Sequence, residues 1–382
     1  MVYLLYGGVF LIMLLNPKSS YITAYYDCEA HLQFLKRFIE YAKINDPMIN
    51  FPILRDLALT VYQIDTDFKF KTKDMDVIHK LRHKIKLDNK AKNQKIFKAV
   101  LKRHTDEFGT NTKNIGVYFN QYDELIGSTM YEMYLVECIE AKVIREDKTP
   151  PAAYYLATRL AKLLPELSNK LKTHVPHEFI LNLKEEKYVP TKSEILRDMY
   201  YKDTNHSNIF ISEDPAYNTF IFRLLLIQHE LTVLKWFVQD YFPNINNPNL
   251  LDHYYHQRII TIRFDSILSS LGTVKVHLPE RFKDLNNKSK SDLNYILEKY
   301  GSDSNIKLKE YRNTLHYNLN GPNFTDLFFT NSESILDDQI LLQDMNHLTE
   351  AIDSFVDTEE IKNEIDWQKI LGSMIKHFSK PS

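Results

Sequence analysis

A chain of 382 residues, 44% hydrophobic and 26% charged, can bury a large core and suits two or three units of ordinary size. Those fractions exclude wholesale disorder and a multi-span membrane protein. The formal net charge of −2 excludes a global attraction to nucleic acid, so any such binding must come from a local patch.

Residues 2–15, VYLLYGGVFLIMLL, are continuously apolar. The run is short for a membrane span, which needs roughly 20 residues, and it lacks the positive leading region of a secretory signal, although Ile22-Thr23-Ala24 weakly imitates a cleavage site. The preferred expectation for 1–15 is a mis-assigned start, with Met13 as initiator in place of Met1. A core strand or helix, or an exported or anchored chain, are the alternatives. Cys28 and Cys138 are the only cysteines. Two thiols so far apart make neither a disulfide framework nor a zinc knuckle, and the expectation is two buried thiols in a reduced, cytoplasmic protein with no cofactor and no stable membrane association.

Only nine glycines are present, which disfavours sheets joined by tight turns and points to an all-α fold with few, minor strands. From Tyr26, apolar residues at Leu32, Leu35, Phe38, Ile39 and Ala42 recur with helical spacing, with Asp27 as the expected cap. Residues 51–64 repeat the pattern, with Pro52 suited to a first turn. Between Lys69 and Arg103 stand thirteen Lys and Arg against three Asp, a local excess of ten positive charges. Lys80, Arg82, Lys84, Lys86, Lys95, Lys98, Lys102 and Arg103 are the candidates here for phosphate contacts. A solvated lysine-rich helix face is the competing reading.

Helices are expected over 130–146 and 152–171, separated by DKTPP, with Pro165 kinking or splitting the second. Strands are expected around Tyr188 and Val189 and around residues 209–211. A polar, proline-bearing stretch places the domain boundary near 215, dividing a helical N-terminal region (16–215) from a C-terminal bundle (216–382) of four or five helices. Its main helices are expected over 218–242, over 252–272 with Asp252 as cap and Gly272 as stop, in SDLNYILEKYG running on to residues 306–322, and in DDQILLQDMNHLTEAIDSFV.

Within YRNTLHYN, a helix would place Leu308, Tyr311, Leu315 and Leu319 on one core-facing stripe. Arg312 and His316, four apart, would then stand one turn from each other on its border, with Asn313 further round. Asn320-Gly321-Pro322 reads as the stop, so His316 lies at the negative end of the helix dipole. The dipole favours imidazolium and Arg312 opposes it, which leaves the ring near neutrality, as acid–base chemistry wants. An ordinary capping His and a snorkelling Arg account for the same spacing. Arg258, Arg263 and Asp265 lie on the preceding long helix, and Asp265 and Arg263 are candidate supports for the site. His229, His253 and His256 lack metal-site spacing and read as structural.

The RN…H phrase on a late helix of an all-helical unit resembles the HEPN superfamily (higher eukaryotes and prokaryotes nucleotide-binding), over roughly Ala216 to the C-terminus. Arg312 matches the family's Arg, Asn313 its polar residue and His316 its His, with three intervening residues where the family usually has more. The resemblance implies metal-independent RNA cleavage at a site shared by two protomers of a homodimer, with His316 as general acid or base, Arg312 on the phosphate and Asn313 orienting it. It further implies a toxin or an anti-phage abortive-infection effector. A non-catalytic interaction or RNA-binding module is the alternative.

Overall fold

The computed structural model describes residues 18–42, 51–88, 94–108, 115–120, 122–139, 152–182, 200–210, 212–301, 308–317, 321–330 and 336–356. The apolar leader lies outside them. Helices dominate: α1 (Ser19–Ala42), α2 (Phe51–Asp67), α3 (Asp76–Asp88) and α4 (Gln94–Phe108) precede a β-hairpin, β1 (Ile115–Phe119) and β2 (Leu125–Ser128). Next come α5 (Thr129–Ile139), α6 (Ala152–Lys172), β3 (Tyr200–Thr204), α7 (His206–Ile209) and α8 (Pro215–Trp236), then a π turn over Phe237–Tyr241. The chain continues through α9 (Leu250–His277), α10 (Pro279–Asp284), α11 (Asn287–Lys299), α12 (Leu308–Asn313), α13 (Phe324–Thr330) and α14 (Asp338–Val356).

The first helix starts earlier than the apolar spacing indicated. Asp27 is therefore no cap; it lies inside α1 with its side chain fully buried. α1 packs along α6 and against α9 and α13, so its buried face meets both halves of the chain. The apolar core runs without a break from Ile22 to Ile352, across the boundary drawn at 215. Pro165 does not split α6. The helix runs from 152 to 172 with Leu160, Leu163, Leu164 and Leu167 buried, and burial of that face outweighs the single backbone bond proline forfeits.

The small sheet has the order β2-β1-β3, all antiparallel, with Val117 opposite Ser128 and Ile115 opposite Thr204. Its hairpin turn uses Asn120, whose Oδ1 accepts from the Tyr122 and Glu124 N–H groups at 2.9 Å, and Asp123 at φ 60°. No glycine is needed there, because an Asn side chain substitutes for a backbone acceptor and Asp tolerates the left-handed region. Among the described residues the expected strand does not form at 209–210: His206–Ile209 form a helical turn, and the strand precedes it. Tyr188 and Val189 lie outside the described residues, as do the DKTPP break and residues 140–146.

In the C-terminal half, Asp214 caps α8 by accepting from Ala216 N at 2.9 Å. Asn249, not Asp252, caps α9; Asp252 is the third helical residue and closes a capping box on the Asn249 N–H at 2.9 Å. Asp252 is also clamped by Arg37 of α1. α9 passes Gly272, which faces open space, because the next turn buries Val274; it stops only before Pro279. Among the described residues no helix is long and apolar enough to cross a membrane.

Candidate functional site

α9 is the spine on which the candidate residues assemble. It packs against α1, α2, α8, α12 and α13, and three of its polar residues, Arg258, Arg263 and Asp265, face different neighbours. Arg258 is 2% exposed. Its Nη2 lies 2.9 Å from Asp27 Oδ2, and the same carboxylate accepts from Tyr254 at 2.6 Å and from Tyr317 at 2.7 Å. Burial pushes the Asp27 carboxyl up, while Arg258, Tyr254 and Tyr317 pull it back. This knot joins α1, α9 and the segment after α12.

The expected helix through YRNTLHYN ends early. α12 closes at Asn313, and Thr314, Leu315 and His316 each donate a backbone bond to the residue three before it, at 3.1, 3.1 and 3.3 Å. This tightening turns the chain inward, burying Leu315 and bringing the Tyr317 phenol to Asp27. Leu308 and Leu315 face the core as expected, Tyr311 is only partly covered, and Leu319 lies outside the described residues. His316 thus stands just beyond the helix, not within it. Arg312, Asn313 and His316 are all on the surface.

Arg312 and His316 nevertheless reach the same space, a cavity of about 330 Å³. Its wall includes Arg82 from α3, Thr60 and Tyr62 from α2, and Arg258 from α9. Arg312 is half exposed and its Nε lies 3.4 Å from Asp265 Oδ2. Partial desolvation lowers the His316 pKa, and Arg312 and Arg258 lower it further against Asp67, so the ring is neutral at pH 7. The ring has no hydrogen-bond partner among the described residues, which leaves it free to take a proton.

A second cavity of about 270 Å³ adjoins the first and shares Asp56, Leu59, Ser266 and Arg312 with it. Arg263 belongs here and not with His316. It is 1% exposed, pairs with Asp56 and lies 3.5 Å from Glu230, which Arg55 also holds at 2.8 Å. Burial alone would raise the Glu230 carboxyl, but Arg55 and Arg263 outweigh it and hold it below its ordinary value. Two cations and two anions neutralise each other in this cluster, an arrangement suited to holding α2, α8 and α9 in register.

The basic segment is divided between α3 and α4, each with its own buried face. Lys80, Lys98 and Lys102 are on the surface, Lys102 bridges Asp106 and Arg103 bridges Glu137. The side chains of Lys84, Lys86 and Lys95 lie outside the described set. Of the named basic residues whose side chains are described, Arg82 alone lines the cavity, with its guanidinium 5.4 Å from the Tyr62 ring centre. His229 packs on Tyr131 inside the core, and His256 stacks on Phe242 and reaches Asp338 at 3.0 Å. Both are far more buried than a ligand-binding imidazole requires, and no group of three metal-ligating side chains occurs among the described residues.

Asp27 reads as a cap in the sequence, and neither Thr60 nor Tyr62 belongs to any motif; Thr60 and Asp27 join the site through Arg258, 198 and 231 positions away, which no local spacing encodes, and Tyr62 through Arg82, 20 positions away. Compared with known families, curated proteins and solved structures, the chain matches none.

Proposed function

We propose that the cavity beside His316 binds a phosphodiester of RNA and cleaves it without a metal. The observation that carries this reading is the convergence of a neutral, unpartnered imidazole with the guanidinium groups of Arg312, Arg82 and Arg258 on one cavity wall. His316 takes the proton of a ribose 2′-OH. The 2′-oxygen then attacks phosphorus, the bond to the 5′-oxygen breaks, and a 2′,3′-cyclic phosphate forms. Arg312 offsets the charge that grows on the phosphate oxygens. The leaving 5′-oxygen takes a proton from the imidazolium formed when His316 accepted the 2′-OH proton, directly or relayed through the His316 ring of a second copy facing the first in a symmetric homodimer. Asn313, exposed next to Arg312 in the chain, would orient the phosphate, as the family resemblance implies. The need for a 2′-OH makes the substrate RNA rather than DNA.

One contact favours a second reading. Asp265 already engages Arg312, as it would in a module that binds RNA or a partner without chemistry. Incubation with mixed RNA and a chelator separates the two. The nuclease reading expects wild-type cleavage with cyclic-phosphate ends and a loss of at least about 100-fold in His316→Ala, the usual worth of a positioned acid–base group. Binding without cleavage, identical in His316→Ala, would establish the module instead. A cytoplasmic toxin or anti-phage effector is the role that the family resemblance suggests, and growth arrest on expression, relieved by His316→Ala, is its signature.

A further inference from the structure

Arg258 is the most unusual group in the cavity. It is 2% exposed, yet only Nη2 is engaged, by Asp27 at 2.9 Å and by Thr60 at a long 3.5 Å. Its Nε and Nη1 have no hydrogen-bond partner among the described residues. Buried guanidinium N–H groups are almost always satisfied, so two unpaired, buried nitrogens on a residue that lines a cavity mark a place where an acceptor belongs. The charge balance says which kind. Arg82, Arg258 and Arg312 line the cavity against Asp56; Asp56 is already held by Arg263, and Arg312 is matched by Asp265. Arg82 has no carboxylate within ion-pair distance among the described residues; its guanidinium lies over the Tyr62 ring. Asp27, the counterion of Arg258, does not line the cavity and also accepts from the Tyr254 and Tyr317 phenols.

From this we infer that Arg258 and Arg82 form a second phosphate position in the cavity, distinct from the one at Arg312 and His316, which holds the neighbouring phosphate of the same RNA strand. The assignment to a strand rests on the nuclease reading; the oxyanion position rests on Arg258 itself. A strand held at two successive phosphates is fixed in direction as well as place, so Arg258 and Arg82 would be positioning residues, setting which 2′-OH meets His316. Arg suits this work better than Lys, because its planar donors stay charged when buried and meet phosphate oxygens directly.

The test uses the full chain carrying Arg312→Ala and His316→Ala together, which removes the proposed reaction position and leaves the second one. Calorimetry with inorganic phosphate, against chloride at matched ionic strength, is expected to show one equivalent bound. Adding Arg258→Lys should weaken that binding at least about tenfold, and Arg82→Gln several-fold. Failure of the Arg312/His316 double variant to bind phosphate overturns the proposal. So does undiminished binding in Arg82→Gln, a partly exposed site whose loss does not threaten the core and which decides the matter if Arg258→Lys does not fold. A 5′-phosphorylated, 2′-deoxy dinucleotide should bind more tightly than its unphosphorylated form and than free phosphate; the reverse order overturns the assignment to a strand. Phosphate binding by this variant is independent of cleavage, so an inactive wild type with an intact phosphate position refutes the nuclease reading alone.

Discussion

Replacing Asp27 by Ala should be among the most damaging single changes in the chain. The carboxylate is fully buried and receives Arg258, Tyr254 and Tyr317. Its removal leaves a buried guanidinium without a counterion, which costs about 3–5 kcal/mol by itself. Two buried phenols also lose their acceptor, at about 1–3 kcal/mol each when taken singly. The three contacts share one network and do not add, so about 4 kcal/mol is the expected loss, a large part of the ~5–15 kcal/mol by which domains are stable. Urea unfolding followed by far-ultraviolet circular dichroism measures it, read as a shift in midpoint at constant slope. Arg258→Met in the same background should recover at least about 2 kcal/mol, because an apolar pair of similar size can replace a buried ion pair. A loss below about 1 kcal/mol for Asp27→Ala, or no recovery in the double variant, would show that the knot does not hold the three elements together.

Two further outcomes follow from titrating groups. His31 and His229 are buried, and desolvation lowers each pKa from 6.5 to about 3. The unfolded chain therefore binds their protons first as pH falls below 6.5. Stability is full above that value and declines toward pH 3, by about 1.4 kcal/mol per pH unit for each ring. The raised Asp27 and Asp56 carboxyls act in the opposite sense at the acid end. His229→Phe should therefore flatten the slope of unfolding free energy between about pH 6 and 5 by about one proton. For His316, Arg312 lowers the imidazole pKa and Asp67 raises it, so Arg312→Gln should move the titration midpoint up and Asp67→Asn should move it down. Imidazole proton shifts in nuclear magnetic resonance record both, and movement in the same direction would refute the electrostatic account.

The helices were largely legible because burial on one face imposes a 3.6-residue period, as in 51–67, 287–299 and 338–356. Their ends were less so. Asp27 looked like a cap since an acidic residue preceded the apolar run, yet α1 begins eight residues earlier and uses the carboxylate for Arg258. Gly272 looked like a stop, yet a single glycine costs a helix little beside the burial of Val274. The β1–β2 hairpin was missed because its turn relies on Asn120 and Asp123 where a glycine would have signalled it. At the site, spacing alone brought Arg312 toward His316. It did not foresee that the helix would end between them, nor that Arg82 and Arg258, 176 positions apart, would meet them across the cavity.

The knot at Asp27 also sets a clock. Ser19 bonds Asp326 and Asp27 bonds Tyr317, contacts that span 307 and 290 positions. A ribosome adding about 5–20 residues per second makes α1 long before those partners exist, leaving it to wait roughly 15–60 s. During that interval Ile22, Ala24, Phe34 and Leu35, all buried at the end, have only part of their covering. α6 emerges well before α9, and α1 packs along it most extensively. The early pairing of α1 with α6 is thus a waiting state in the birth of the protein, and the cavity beside His316 is among the last things to form.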